Sequence, residues 1–102
     1  MTENEKAFRA DLSGQVAIVT GASQGLGEAM AIELAANGAF VACVARNAEK
    51  LADTVAAIES AGGKAEAFSC DVKDRTSVDG VVDEISQKWD RLDILVNNAG
   101  IT

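Results

Sequence analysis

The glycine-rich segment at residues 20–27 is the part of the chain whose spacing points most directly to chemistry. It reads TGASQGLG and joins an apolar, β-branched run to a segment with helical periodicity. At such a junction, unpaired backbone N–H groups and the positive end of a helix dipole can hold a pyrophosphate, and Ser23 could add a hydroxyl donor. Gly21 would permit the sharp turn, Gly25 would let the backbone approach phosphate, and Gly27 would let the helix lie close to the sheet. The alternative is a strand-to-helix turn whose glycines serve packing only.

Arg46 follows the second apolar run, where dinucleotide-binding folds meet the adenosine ribose about twenty residues after the loop. A carboxylate at this point favours NAD, but the sequence here is Ala45-Arg46-Asn47 and contains no acid. Arg46 can form charge-assisted hydrogen bonds to a 2′-phosphate, which predicts NADP(H) as the cofactor. Gln24 in the loop supplies only a neutral donor. The alternative is that Arg46 is an ordinary surface arginine near a helix start.

Two further motifs come after later strands. Asp71 and Val72 come after the third strand, where a carboxylate can accept a hydrogen bond from the adenine amino group and the next residue can cover the ring. The alternative is that Asp71 opens a loop and caps the next segment of the chain. Asn97-Asn98-Ala99-Gly100 closes the fourth strand. One amide could tie this strand to the first through Thr20, and the other could contact the nicotinamide ribose, although asparagines at strand ends are also common turn residues.

Short apolar runs alternate with helical patterns and must position these motifs. We predict strands at 16–20, 40–45, 65–70 and 93–97, and helices from 25 to about 37, from 47 to 61, and over the periodic positions 78–89. Right-handed crossovers between such elements predict an α/β fold with a Rossmann-type, doubly wound parallel sheet in the strand order 3-2-1-4. With four strands and three helices, this would be part of a complete Rossmann fold. Residues 1–13 are expected to be a solvated leader, and residues 14–102 the N-terminal part of an NAD(P)-binding domain.

The first helix carries two stripes with different expected roles. Leu26, Met30 and Leu34 are expected to pack on side chains. A parallel stripe of small residues is expected to pack on backbone (Gly27, Ala31 and Ala35).

Composition excludes several functional classes. Sixteen acidic against nine basic residues give a net charge of −7, which disfavours nucleic acid and anionic membranes as partners. No apolar run is long enough for a membrane span, and the charged N-terminus is unlike a signal peptide, so we expect a cytoplasmic location. Cys43 and Cys70 are spaced for neither a metal site nor a redox pair and are expected to be reduced core residues.

Taken together, the glycine loop, Asp71-Val72 and Asn97-Asn98-Ala99-Gly100 resemble the short-chain dehydrogenase/reductase family over residues 12–102. Within it, residues 94–102 look most like the bacterial 3-oxoacyl-(acyl-carrier-protein) reductases of fatty-acid biosynthesis. The resemblance implies that six loop residues hold the pyrophosphate and the neighbouring ribose: Gly21, Ser23, Gln24, Gly25, Leu26 and Gly27. It also implies that Arg46 faces the 2′-phosphate and that Asp71 and Val72 line the adenine pocket. On the side of the fourth strand, the residues along the cofactor would be Asn98, Ala99 and Gly100.

The chain departs from the family in one large respect. The resemblance implies a catalytic serine and a Tyr-x-x-x-Lys pair in a later segment, but this chain contains no tyrosine. We therefore assign no catalytic residue and no metal ligand. One hypothesis is that the chain is the N-terminal part of a homo-oligomeric, NADPH-dependent reductase and is inactive when isolated. The substrate of the whole enzyme would be a 3-oxoacyl group or another ketone, either a small molecule or bound to an acyl carrier. The other is a non-catalytic dinucleotide-binding module.

Overall fold

A computed structural model describes residues 11–71 and 74–98. Four strands and three helices alternate along the chain: β1 (Val16–Thr20), α1 (Gly25–Ala36), β2 (Phe40–Ala45), α2 (Ala48–Ser60), β3 (Lys64–Ser69), α3 (Arg75–Trp89) and β4 (Ile94–Asn97). The strands are parallel and lie in the order β3-β2-β1-β4. The predicted fold class and strand order are confirmed.

The register brings the carboxyl ends of β2, β1 and β4 to one edge of the sheet. Thr20 at the end of β1 lies opposite Val44 of β2 on one side and Asn97 of β4 on the other. Because ligands of doubly wound sheets bind beyond the carboxyl ends of the strands, this edge is where a site is expected.

The sheet is covered on both faces, as expected for parallel strands. Helices α1 and α2 pack on one face against alternate residues of β1 and β2 (Ala17, Val19, Val41, Cys43 and Ala45). Helix α3 packs on the other face through Ile85 against the intervening residues (Val16, Ile18, Ala42 and Val44). Strand β4 is an edge strand in the described part of the chain, and Leu95 on it is 58% exposed.

Helix α1 approaches the sheet through its small residues. Gly27, Ala31 and Ala35 are its buried positions, and Leu34 packs at the margin of the same core. Leu26 is 57% exposed, so the expectation that its stripe packs on side chains is wrong at this position. The reason is that α1 lies close to the sheet. The stripe of small residues therefore faces the sheet, and Leu26, at the loop end of the other stripe, stays exposed.

Three smaller expectations are corrected. Strand β3 spans Lys64–Ser69, so it begins and ends one residue earlier than predicted, because it pairs with β2 from Phe40 onward. Strand β4 begins at Ile94, one residue later than predicted. Both cysteines are free, but only Cys43 is a core residue; Cys70 lies half-buried at the margin of the α3 side. Burial raises the pKa of the Cys43 thiol to about 12, so this thiol stays protonated.

Asp93 joins the beginnings of β1 and β4 at the edge of the sheet opposite the glycine loop. Its carboxylate accepts from the Val16 backbone N–H at 2.8 Å, and its own N–H donates to the Val16 carbonyl at 2.9 Å. The Arg91 guanidinium donates two further bonds of 2.8 Å to the same carboxylate. These hydrogen bonds, that of Arg91 first, hold the pKa of Asp93 below its usual value.

We expect the stability difference between the wild type and Asp93→Asn to depend on pH. A carboxylate whose folded pKa is lowered adds stability that is fully present above its unfolded pKa of about 4 and is lost as the pH falls through the folded value. The difference in unfolding free energy should therefore be largest near neutral pH and shrink in strong acid. Urea unfolding of both proteins across this range checks it, and a difference independent of pH would contradict it.

Candidate functional site

The glycine loop begins where β1 leaves the sheet and is held by backbone contacts to β2. Gly21 has φ +65°, a left-handed conformation that glycine adopts without steric cost. The next residue, Ala22, is buried, and its N–H donates to the Val44 carbonyl at 3.2 Å. The loop is therefore fixed at the carboxyl end of the sheet, as the sequence predicts.

The N-terminus of α1 is open toward this loop. Gln24 is the N-cap residue, but its side chain makes no capping hydrogen bond. The first N–H groups of a helix lack intrahelical partners, so they stay available to an anion. Gly25 has φ +58°, and a Cβ built on it would meet no described atom within 4 Å. This is the open approach to backbone that a phosphate requires.

Thr54 of α2 contacts the glycine loop, a contact that the sequence did not predict. Its fully buried hydroxyl lies 3.1 Å from the Ala22 carbonyl and 3.2 Å from a Glu28 carboxylate oxygen. Glu28 is in the first turn of α1, where an acid could repel a bound phosphate. Its contact with Thr54 turns this carboxylate toward α2.

Arg46 lies at the same edge of the sheet as the glycine loop, two residues after Val44. It is exposed, and its guanidinium forms no ion pair with another described residue. Its carbonyl accepts from the Ser69 hydroxyl at 3.0 Å, which fixes the backbone at the end of β2. An exposed arginine with a fixed backbone and no carboxylate partner within the described ranges is suited to bind an external anion.

Thr20 connects β1 with the end of β4. Its hydroxyl lies 3.1 Å from the Asn97 side-chain oxygen and 3.3 Å from the Val96 carbonyl, and it accepts from the Asn98 N–H at 2.9 Å. The predicted tie between the two strands through an asparagine is confirmed. Asn98 is 2% exposed, and its buried Oδ1 has no hydrogen-bond partner among the described residues.

Gly27 lies where α1 crosses the ends of β1 and β4. A Cβ at this position would collide with the Gly21 carbonyl oxygen and lie 2.7 Å from Asn98 Nδ2. The predicted role of Gly27, close packing of the helix on the sheet, is confirmed. The glycine also brings the loop and the buried Asn98 amide into one arrangement.

The remaining predicted residues are placed in part. Asp71 is exposed at the end of β3, and its carbonyl accepts from the Asp74 N–H at 2.9 Å. The cap of α3 is Asp74, whose carboxylate accepts from Thr76 N–H at 3.0 Å, and both interpretations of Asp71 stay predictions. Val72, Ala99 and Gly100 lie outside the described residues.

Thr20 and Asn97 also border a cleft of about 510 Å³ between α3 and the sheet. Its other walls are mainly aliphatic (Ile18, Val44, Val78, Val81, Val82 and Leu95). No motif in the sequence indicates this cleft. Among residues 11–71 and 74–98, no group of side chains could hold a metal ion, and no helix is long and apolar enough to cross a membrane.

Comparison with known proteins relates this arrangement to one family. The family model described as short chain dehydrogenase matches residues 15–102. A fatty acyl-CoA reductase of Acinetobacter baylyi is 45% identical over 96 residues, covering 94% of this chain and 32% of that protein. A 3-oxoacyl-(acyl-carrier-protein) reductase of Thermotoga maritima is 40% identical over 91 residues, covering 89% and 37%.

A solved structure is also similar to this chain. A metagenomic short-chain oxidoreductase in complex with NADP has a TM-score of 0.81 and 41% identity to this chain, covering 84% of this chain and 39% of that one. The chain thus spans about a third of the length of the two curated relatives.

Proposed function

Because this chain belongs to the short chain dehydrogenase family, whose model matches residues 15–102, we propose that it forms the dinucleotide-binding part of an NADPH-dependent oxidoreductase. One observation carries the proposal. The uncapped N-terminus of α1 lies at the same edge of the sheet as Arg46, which has no ion-pair partner within the described ranges. Together they offer backbone donors for a pyrophosphate and a guanidinium for a 2′-phosphate.

The residues present fit such a cofactor. Gly25 leaves open space above the loop backbone, and Ser23 and Gln24 add polar donors to the phosphate contacts. Asn98 Oδ1 is a buried acceptor without a partner in the described part of the chain, and such an atom is costly unless a donor reaches it. Adjacent cofactor hydroxyls would satisfy it. Leu26 would belong to the loop that holds the pyrophosphate and neighbouring ribose. Asp71 and Val72 would line the adenine pocket, and Ala99 and Gly100 would lie along the cofactor on the β4 side.

A bound nicotinamide supplies a hydride for reduction of a carbonyl. The described residues bind and orient the cofactor, and no side chain in this chain is assigned to protonate the substrate. We propose a 3-oxoacyl-(acyl-carrier-protein) substrate, or another ketone, because one matched relative is named as a reductase of this class and another as a fatty acyl-CoA reductase. The absence of tyrosine favours a second candidate, a dinucleotide-binding module without catalysis.

The same proposal includes the cellular setting. Two free cysteines fit a reducing compartment, and we propose a cytoplasmic protein. A net charge of −7 disfavours nucleic acid and anionic membranes as partners, and we propose a small-molecule or acyl-carrier substrate. We also propose that the whole protein forms a homo-oligomer.

Replacing Arg46 tests the cofactor assignment. In the protein expressed from the complete reading frame, Arg46→Ala should weaken NADPH binding about tenfold, because a charge-assisted hydrogen bond to the 2′-phosphate is lost. NADH has no such phosphate, so its affinity should change by less than about twofold, the range of a surface substitution. Calorimetric titration with both cofactors measures the two effects.

The matched control is Arg75→Ala, an exposed arginine at the start of α3. It should leave the ratio of NADPH to NADH affinity unchanged. Equal losses of both affinities in Arg46→Ala would overturn the 2′-phosphate assignment, and a wild type that binds neither cofactor would overturn the proposed function.

A further inference from the structure

Lys50 extends from α2 to the glycine loop. Its ammonium donates to Gln24 Oε1 at 2.9 Å, a contact between residues 26 positions apart. The base of the side chain is fixed, because the Lys50 backbone N–H donates to the Asn47 side-chain oxygen that caps α2 at 3.0 Å. Lys50 therefore brings a positive charge to the N-cap of α1, which sequence reasoning had given only a neutral residue.

The chemistry of this contact determines how Gln24 is oriented. An ammonium group is a donor only, so the amide atom that faces it must be the oxygen. The amide nitrogen of Gln24 is then free to donate to a third group. Lys50 also retains two of its three protons for other acceptors. The pair thus presents N–H donors and a positive charge to a third group.

The position of this pair relates it to Arg46. Arg46 lies between the end of β2 and the Asn47 cap, and Lys50 lies in the first turn of α2. The loop that carries Gln24 is bonded to the same strand through Ala22 and Val44. Neither Lys50 nor Arg46 forms a salt bridge with a carboxylate in the described ranges. Two basic residues therefore flank the junction of β2 and the loop in a chain that is acidic overall.

We infer that Lys50 is a specificity-determining residue that binds the 2′-phosphate together with Arg46, with Gln24 as its orienting partner. This inference rests on the proposed function, because it concerns the same cofactor. A phosphate monoester carries up to two negative charges at neutral pH, and two cations with an amide donor match it better than one arginine. The lack of a basic residue within the glycine loop is compensated from α2.

Lys50→Gln in the protein expressed from the complete reading frame tests this inference. NADPH binding should weaken about fivefold and NADH binding should stay within about twofold, since an exposed charge pair to phosphate contributes modestly and only when the phosphate is present. Lys50→Arg should restore most of the NADPH affinity. The affinity of the wild type for NADPH should also fall more steeply with salt than that of Lys50→Gln.

Lys64→Gln is the matched control, because Lys64 is exposed at the start of β3, at the opposite end of the strands. It should change neither affinity. Equal weakening of NADPH and NADH in Lys50→Gln would place Lys50 on a shared part of the cofactor, and an unchanged NADPH affinity would exclude the contact; either result overturns the inference while the proposed function stands. A wild type that binds neither cofactor overturns both.

Discussion

Gly27→Ala is expected to lower the free energy of unfolding by about 2–3 kcal/mol, at the upper end of the cost of overpacking a core. The added methyl group would collide with the Gly21 carbonyl oxygen and approach Asn98 Nδ2 to 2.7 Å. The first is backbone at the end of β1 and the second is a buried amide at the end of β4. Neither can rotate away as the tip of a flexible side chain could, so α1 must move away from the sheet.

The same displacement should weaken cofactor binding. Moving the N-terminus of α1 separates its N–H groups from the loop that Ala22 fixes to β2. Loss of alignment at these donors should reduce the affinity for NADPH and NADH alike, by about tenfold or more, since several hydrogen bonds to the pyrophosphate share this geometry. This pattern differs from that of Arg46→Ala, which should discriminate between the two cofactors.

Gly80→Ala is the matched control. Gly80 lies inside α3, and a Cβ there would meet no described atom within 4 Å. Because alanine is the better helix former, this change should raise the free energy of unfolding by about 0.5–1 kcal/mol. Urea unfolding followed by circular dichroism measures both variants. Equal stability of Gly27→Ala and the wild type would contradict the proposed close packing at this crossing.

The strands were predictable where burial is complete. Residues of β1 and β2 form continuous apolar runs because both faces of the sheet are covered, and their bounds match the structure to the residue. Strand β3 is paired on one side among the described residues and is only partly buried, so its pattern is mixed and its start was misplaced by one residue. Periodicity identifies burial, and it loses precision where burial is incomplete.

The inward face of α1 shows a second limit. Hydropathy weights Leu26 above Gly27, yet the glycine is buried and the leucine is 57% exposed. The distance between helix and sheet decides which stripe turns inward, and that distance depends on atoms at the ends of β1 and β4. A one-dimensional pattern contains no such distance.

The site was predictable where a single motif carries it and not where distant residues meet. The glycine loop and the tie between Thr20 and Asn97 follow from their positions at strand ends. The contacts of Lys50 with Gln24 and of Thr54 with Ala22 join residues 26 and 32 positions apart. Both contacts form because α2 packs beside α1, and neither Lys50 nor Thr54 belongs to a sequence motif.

Thr20→Val is expected to lower the free energy of unfolding by about 2–3 kcal/mol, the cost of leaving a buried polar group without its partner and losing a second hydrogen bond. Valine fills nearly the same volume, so packing is preserved and the hydrogen bonds alone are removed. The buried Asn98 N–H loses the oxygen that accepts it at 2.9 Å, and Asn97 loses the donor that ties β4 to β1. The end of β4 then keeps only its backbone pairing with β1 and the packing of Val96 on the core among the described contacts.

The loss should be largest at β4, since this strand is at the edge and contributes four residues to the sheet. Amide hydrogen exchange should therefore accelerate at residues 94–98 more than in β2, which is paired on both sides. Thr20→Ser keeps the hydroxyl and should retain most of the stability, whereas Thr76→Val, on the exposed face of α3, should change it by less than about 0.5 kcal/mol. If Thr20→Ser and Thr20→Val were equally destabilised, the effect would belong to packing and the hydrogen-bond explanation would be wrong.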